Sequence, residues 1–497
     1  MKIILPYFIT FPLLAAFLIA LLSRKSKIAG ELISNLFTFG LLISSWDLVK
    51  RVYLYKIIVY KIGGWLPPAG ISLVADGFSV FMLLIVNLIA FLVMVYSIRY
   101  MQRYTDKWKF YSLFMLMLTG MNGIILSGDL FTIYVFLELA SIAGYALVAF
   151  GIEPQDLEAS FKYVIMGSLA SIFILLGIGL LYSYTSTLNL ADISWVLAEK
   201  PQGFLIGFVS VLFLAGFGLK AALVPFHAWL PDAHSCAPSP VSATLSGVFI
   251  KTLGIYALSR IFFNVLGVSG KVLFVFMILG ILSMAIGALL AIAQNDIKRM
   301  FAYSSISQVG YIIFAFGLGT PLAILGGLFH LFNHAIFKPL LFLNAGSIEY
   351  STGRRSLDKL GGLNSKLPFT GAMSLLGSMS ISGIPPFGGF WSKLIIIIAA
   401  IQSGYIGMAA VAGLTSILTL AYYLKFQTFA FLGKIDEGCK EAKEVPLSMK
   451  FSMLILTAVC VFAGLMLLPE FRSFLQSAAD VLVSGTAYKE AVFGMIQ

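Results

Sequence analysis

The chain has 497 residues, of which 60% are hydrophobic and only 11% charged, with a mean hydropathy of +0.97. That balance excludes the soluble globular classes and fits a polytopic membrane protein. The formal net charge of +11 is not a nucleic-acid footprint, because the lysines and arginines gather between apolar runs, as they do in cytoplasmic loops.

Apolar runs bounded by polar or Gly/Pro punctuation predict about fourteen spanning helices. They fall near 3–22, 29–48, 77–98, 110–127, 130–150, 162–184 and 204–224, then near 241–262, 272–293, 300–318, 321–346, 368–402, 406–430 and 450–468. The first has too long an apolar stretch for a secretory leader and no small-residue cleavage site, so it reads as a span. Basic clusters follow alternate spans: Arg24, Lys25 and Lys27; Arg103, Lys107 and Lys109; Lys298 and Arg299; Arg354, Arg355, Lys359 and Lys366; Lys434, Lys440, Lys443 and Lys450. On this count they share the cytoplasmic side and both termini lie outside. Lys50, Arg51, Lys56 and Lys61 fall on the other side and stand against it.

Two of these helices are interrupted. The seventh runs into LKAALVPFHAWLPDAH, and the twelfth contains SISGIPPFGGFWSK, whose glycines and prolines cannot sustain regular helix. Backbone freed at membrane depth has to be buried in protein or line a hydrated cavity. The breaks lie roughly 160 residues apart, each with a Pro-Phe step and a lysine nearby, the pattern of inverted repeats around a midplane ion site.

Titratable side chains within the apolar runs are the candidate functional residues: Glu138, Lys220, Lys251, His330, His334, Lys338 and Lys393. A charge at the bilayer centre costs at least a few kcal/mol, so such residues face a bundle interior or a wet cavity. Glu138 lies mid-span without a charged neighbour in its run. His330, His334 and Lys338 recur every four residues and share one helical face. Two histidines at that spacing also suit zinc, but no carboxylate or thiolate lies near them to complete a site, and imidazole suits a proton relay. Lys393 follows the twelfth-helix break directly; it either ends the relay or caps a half-helix. His227, Asp232 and His234, in the connection after the seventh span, are candidates for proton intake or simply hold turns. Asp76, Asp129, Glu158 and Lys162 flank spans and read as interfacial.

Cys236, Cys439 and Cys460 have no paired spacing, so no disulfide framework, zinc site or iron–sulfur cluster is expected. No glycine run fits a nucleotide loop. The chain is expected to hold no cofactor, and any redox centre coupled to it belongs to another subunit.

The series from Glu138 to Lys393, together with KYVIMGS, LVPFHAWLPDAH, APSPVSATLSG and SGIPPFGGFWSK, resembles the antiporter-like proton-translocating subunits. These are shared by respiratory complex I, Mrp-type sodium/proton antiporters and membrane-bound nickel–iron hydrogenases. The resemblance spans nearly the whole chain and is most specific over 128–425. It implies an ion pair between Glu138 and Lys220, proton passage through Lys251, His330 and His334, and an outward opening at Lys393. A lysine at that last position departs from the complex I type that carries glutamate there, and the long lateral helix of the largest complex I type is missing. IGGWLPPAGISLVADGFS is similar to Mrp D-type subunits, whereas PFHAWLPDAH is more similar to complex I and the hydrogenases.

The expectation is therefore an all-α polytopic membrane protein of about fourteen helices, with two inverted five-helix repeats and broken helices seven and twelve. Residues 1–109 form three N-terminal helices, 110–262 and 263–432 the two repeats, and 433–497 a cytoplasmic loop, the last helix and a tail. The protein sits in a prokaryotic cell membrane among other membrane subunits, those of a hydrogenase-type complex with iron–sulfur redox partners. It carries protons, with sodium handled by a neighbour if at all. A D-type subunit of an Mrp antiporter is the alternative. A stand-alone carrier for a small solute and a structural membrane anchor are further readings; the anchor leaves the buried charges unexplained.

Overall fold

Polar caps set where the apolar runs begin as helices. Asp129 accepts a hydrogen bond from the Thr132 amide at 2.8 Å, Asp296 from the Arg299 amide at 2.9 Å and Asp76 from the Ser79 amide at 2.9 Å. Each satisfies a donor that the first turn leaves free. Gly319 and Gly353 end two helices in the left-handed conformation open to glycine. The computed structural model describes residues 4–23, 26, 28–200 and 203–496, without the side chains of 495 and 496. The basic cluster Arg24, Lys25 and Lys27 lies outside the described residues, as does the start of the first predicted span at Ile3.

Short 3-10 turns aside, the helices are α1 Ile4–Leu22, α2 Ala29–Tyr55, α3 Gly77–Tyr100, α4 Lys107–Leu126, α5 Leu130–Val148, α6 Pro154–Thr185 and α7 Leu190–Glu199. Next come α8 Phe204–Lys220, α9 Trp229–Cys236, α10 Ser239–Leu266, α11 Gly270–Ile292, α12 Ile297–Leu318 and α13 Pro321–Thr352. The last are α14 Pro368–Ser382, α15 Gly388–Gln402, α16 Ile406–Phe431, α17 Leu447–Phe462, α18 Pro469–Val483 and α19 Tyr488–Ile496.

Among the described residues, twelve helices are long and apolar enough to cross a membrane. The predicted spans outside that set are the two expected to be broken. The seventh stops at Lys220, with α9 beyond the break, and the twelfth divides into α14 and α15. Freed backbone at the first break finds partners: Ser283 Oγ takes the Val224 amide at 3.0 Å, and Trp229 Nε1 donates to the Leu219 carbonyl at 3.1 Å. At the second, Asn333 Nδ2 reaches the Gly388 carbonyl at 3.2 Å and Ser416 Oγ the Ser382 carbonyl at 3.0 Å. Irregular backbone at this depth is thereby held inside protein.

Three features go beyond the sequence reading. β1 Ile58–Lys61 pairs antiparallel with β2 Ser72–Ala75 as a short hairpin ahead of α3. α2 runs seven residues past its apolar run, and within that extension Arg51 pairs with Asp47 at 2.7 Å, one turn back. The C-terminal tail forms α18 and α19, and α18 turns Leu475, Ala478, Ala479 and Leu482 inward against α3 and α13.

The centre of the bundle is α10, α12 and α13, whose apolar stretches are 100%, 94% and 94% buried. A helix enclosed on all sides can hold polar groups out of contact with lipid, which singles these three out as the elements that carry chemistry. Close approach requires glycine in two places on α10. A side chain at Gly247 would meet Pro339 of α13 at 2.4 Å, and one at Gly254 would meet Ala221 at 2.5 Å.

Candidate functional site

Glu138 points from α5 towards α6, where the Ser171 hydroxyl donates to its Oε1, and it is half-buried. One turn on, Ser141 Oγ accepts from Lys220 Nζ at 3.0 Å, and Tyr145 lies 3.4 Å from the same ammonium. Lys220 ends α8 and is 3% exposed. Glu138 and Lys220 share a neighbourhood but make no ion pair within 4.0 Å among the described residues; a serine stands at each.

Lys251 lies wholly buried on α10, where the backbone departs from α geometry. π-helical turns occupy Leu245–Phe249, Lys251–Tyr256 and Arg260–Leu266. Lys251 Nζ donates to the carbonyls of Ser246 and Gly247, each at 2.6 Å. Ser246 Oγ meets Ser305 Oγ of α12 at 2.7 Å, which carries the polar line to the next helix.

On α13 the four-residue spacing acts as read. His330 and His334 stack with ring centres 6.5 Å apart and planes 12° from parallel. His330 Nδ1 meets Ser392 Oγ at 3.0 Å, while its Nε2 and both nitrogens of His334 are buried without a hydrogen-bond partner among the described residues. Lys338 donates to the Phe301 carbonyl at 2.8 Å and lies 3.4 Å from the Tyr423 hydroxyl. Pro339 follows it and, lacking an amide hydrogen, cannot make the usual helical bond to the Ala335 carbonyl.

Lys393, buried on α15, donates to the Ile381 carbonyl at 2.8 Å and to Ser416 Oγ at 3.2 Å. It thus caps the last turn of α14, and it also reaches a half-buried hydroxyl. The neighbouring Ser392 bonds His330, so the end of the row and the histidines are joined through adjacent residues.

The three residues of the PFHAWLPDAH connection have different surroundings. Asp232 is gripped by Lys162 at 3.0 Å and by Arg299 at 2.5 Å. Burial works against its charge, but hydrogen bonds from Lys162 and Arg299 outweigh that and hold its carboxyl below the usual aspartate range. His234 is fully buried with neither nitrogen partnered among the described residues, its ring edge-on to Phe342 at 5.6 Å. His227 is half-buried, with the Pro225 backbone beside its ring.

Sequence reasoning missed the neutral groups between the lysines: Ser304, Ser305, Gln308, Thr419, Tyr422 and Tyr423 on α12 and α16. It also missed how deeply Asp76 sits. Asp76 is 3% exposed and bonds Arg260 through both oxygens, at 2.7 and 2.9 Å, tying the head of α3 to the far end of α10. The cue was available in an arginine inside an apolar run matched by an aspartate at a helix start.

Fold and core define a polytopic membrane protein with a row of lysines and histidines sealed between its central helices. Residues 127–419 match the family described as NADH:quinone oxidoreductase/Mrp antiporter, transmembrane, and residues 65–111 match the N-terminal region of complex I chain 5. The D-type subunit of the Na(+)/H(+) antiporter of Alkalihalophilus pseudofirmus is 34% identical over 99% of both chains. A chain of the Mrp complex from Dietzia sp. DQ12-45-1b superposes with a TM-score of 0.91 at 28% identity, covering 99% of this chain and 100% of that one. A chain of the membrane-bound sulfane sulfur reductase, an archaeal respiratory membrane complex, gives 0.89 at 30% identity over 98% and 100%. The chain belongs to the antiporter-like subunit family shared by NADH:quinone oxidoreductases and Mrp antiporters. It is a multi-pass membrane subunit of a larger complex, as its structural relatives are.

Proposed function

We propose that this chain moves protons across a prokaryotic cell membrane along Glu138, Lys220, Lys251, Lys338, His334, His330 and Lys393, using no cofactor of its own. The observation that carries the reading is the burial of His330 and His334 together with Lys251, Lys338 and Lys393 in one enclosed core. Imidazole can accept a proton at one nitrogen and donate one at the other, which a relay requires.

The switch in this reading is electrostatic. Ser171 holds Glu138, and Ser141 with Tyr145 holds Lys220. Closing the carboxylate onto the ammonium at about 4 Å would be worth roughly 4 kcal/mol at an effective dielectric near 20. The contacts of Ser171, Ser141 and Tyr145 that it would replace meet charged groups and are worth about 1.5–3 kcal/mol each, so the open and closed arrangements lie close in energy and the pair can switch between them, pushing charge towards Lys251. Helices 110–262 and 263–432 serve as the two inverted repeats, with both termini outside.

Two assemblies fit. The full-length likeness to a D-type antiporter subunit favours an Mrp-type complex, in which proton flow is exchanged against sodium carried elsewhere. The likeness to a sulfane sulfur reductase chain favours a redox-driven complex of the hydrogenase type, with iron–sulfur partners. In either, Glu138→Gln and Lys220→Ala are each expected to abolish coupled translocation while the complex still assembles. Coupled transport at the parent rate in both variants would overturn the reading.

A further inference from the structure

Two charged side chains outside the row, one buried and one half-buried, lie at the end of the bundle that bears the basic loops. Lys298, in the first turn of α12, has a side chain 2% exposed, and Glu349, in the last turn of α13, one 20% exposed. Their charged atoms stand 4.0 Å apart, close enough to attract and too far for a well-formed hydrogen bond. Each has a second partner that leads inward. The Tyr100 hydroxyl lies 3.4 Å from Glu349 Oε2 and 3.4 Å from Ser239 Oγ, so one tyrosine bridges a partly exposed carboxylate to the head of α10, the helix of Lys251. Lys298 Nζ donates to the Ala237 carbonyl at 2.6 Å. That carbonyl also accepts from Ser242 Oγ at 3.2 Å, and Ser242 Oγ is 2.8 Å from the carbonyl of His234. Beyond His234, Phe342 and Phe301 stack edge to face, and the Phe301 carbonyl holds Lys338.

We infer that Glu349 and Lys298 form the proton port of the row on the face of the basic loops, an inference that rests on the proton-moving function proposed above. A proton from water at that face binds the Glu349 carboxylate. The Tyr100 hydroxyl, within reach of both Glu349 Oε2 and Ser239 Oγ, orients the acid so formed towards the head of α10, and Glu349 returns to the carboxylate as it gives the proton up. Lys298 keeps its ammonium throughout; it is a positioning residue that keeps the carboxylate charged between transfers. A role confined to clamping α9 accounts for Lys298 on Ala237, but not for a carboxylate set 4.0 Å away and bridged by a tyrosine. Glu349 is faced by Lys298 from α12, by Tyr100 from α3 and by Arg103 and Arg355 from the basic loops. Lys298 is faced by Glu349, Arg355, Asp296 and Cys236.

The test uses the assembled complex in sealed vesicles with the basic-loop face outward, reading translocation with a pH-sensitive dye at a series of external pH values. Glu349→Gln is expected to keep the parent rate at acid pH and to lose about tenfold at alkaline pH, where collecting protons limits turnover. Glu349→Asp is expected to restore most of the alkaline rate. A pH profile for Glu349→Gln that coincides with the parent would overturn the port. Lys251→Ala run alongside separates the two readings: its failure at every pH supports translocation through the core, and parent-like transport there would sink that function itself. If Glu349→Gln does not assemble, Tyr100→Phe keeps the ring and removes only the bridging oxygen; it is expected to show the same alkaline loss, and a parent-like profile there would overturn the port.

Discussion

At the scale of single residues, each buried ammonium of the row is answered by oxygen atoms rather than by a carboxylate: Lys251 by two carbonyls, Lys338 by a carbonyl and a tyrosine, Lys393 by a carbonyl and a serine. Neutral partners hold a lysine in place without fixing its proton, which a permanent ion pair would do. Asp232 shows the opposite design, clamped between Lys162 and Arg299. Its carboxyl sits below the usual range in the folded chain, so the clamp contributes stability above the unfolded aspartate value near 3.8 and loses it as pH falls further. Asp232→Asn is therefore expected to lower the melting temperature of the purified complex at neutral pH. The gap to the parent should close under strong acid, and a gap independent of pH would contradict the clamp. Charged residues of the row were legible in the sequence because a charge in an apolar run stands out. The serines, threonines and tyrosines that connect them were not, since hydroxyls are common in any spanning helix and only packing shows which meet. Glu349 and Lys298 lie near the ends of their runs, where a sequence reading assigns charges to the interface.

At the scale of elements, the breaks at the seventh and twelfth predicted spans were legible from proline and glycine alone, and the structure interrupts both there. The π-helical turns of α10 were not legible. They arise where Gly247 and Gly254 let α10 press onto Pro339 and Ala221, a matter of tertiary fit rather than local preference. Gly254→Ala puts a methyl group 2.5 Å from the Ala221 backbone, which cannot swing aside as a side-chain tip would. A destabilisation of about 1–3 kcal/mol is expected, read as a lower melting temperature of the complex. An unchanged melt would mean that α10 tolerates a shift away from α8. The hairpin and α18 escaped the sequence reading because short strands and an amphipathic helix give weak signals beside long apolar runs.

At the scale of the whole molecule, α10, α12 and α13 form an enclosed polar core, while α1, α2, α6 and α16 show wide apolar faces with large side chains such as Leu32, Phe161 and Ile417 exposed. Lipid and sister subunits are the natural cover for those faces. The basic loops, the Asp232 clamp and the Lys298–Glu349 pair gather at one end, while Lys393 sits beside the break between α14 and α15. Lys251 is the lysine at the middle of this layout, on the helix with no exposed face. Proton translocation by the assembled complex carrying Lys251→Ala, followed with a pH-sensitive dye in sealed vesicles, tests the central claim most directly. The account predicts normal assembly with translocation reduced by about a hundredfold or more. Normal assembly with translocation at the parent rate would contradict it.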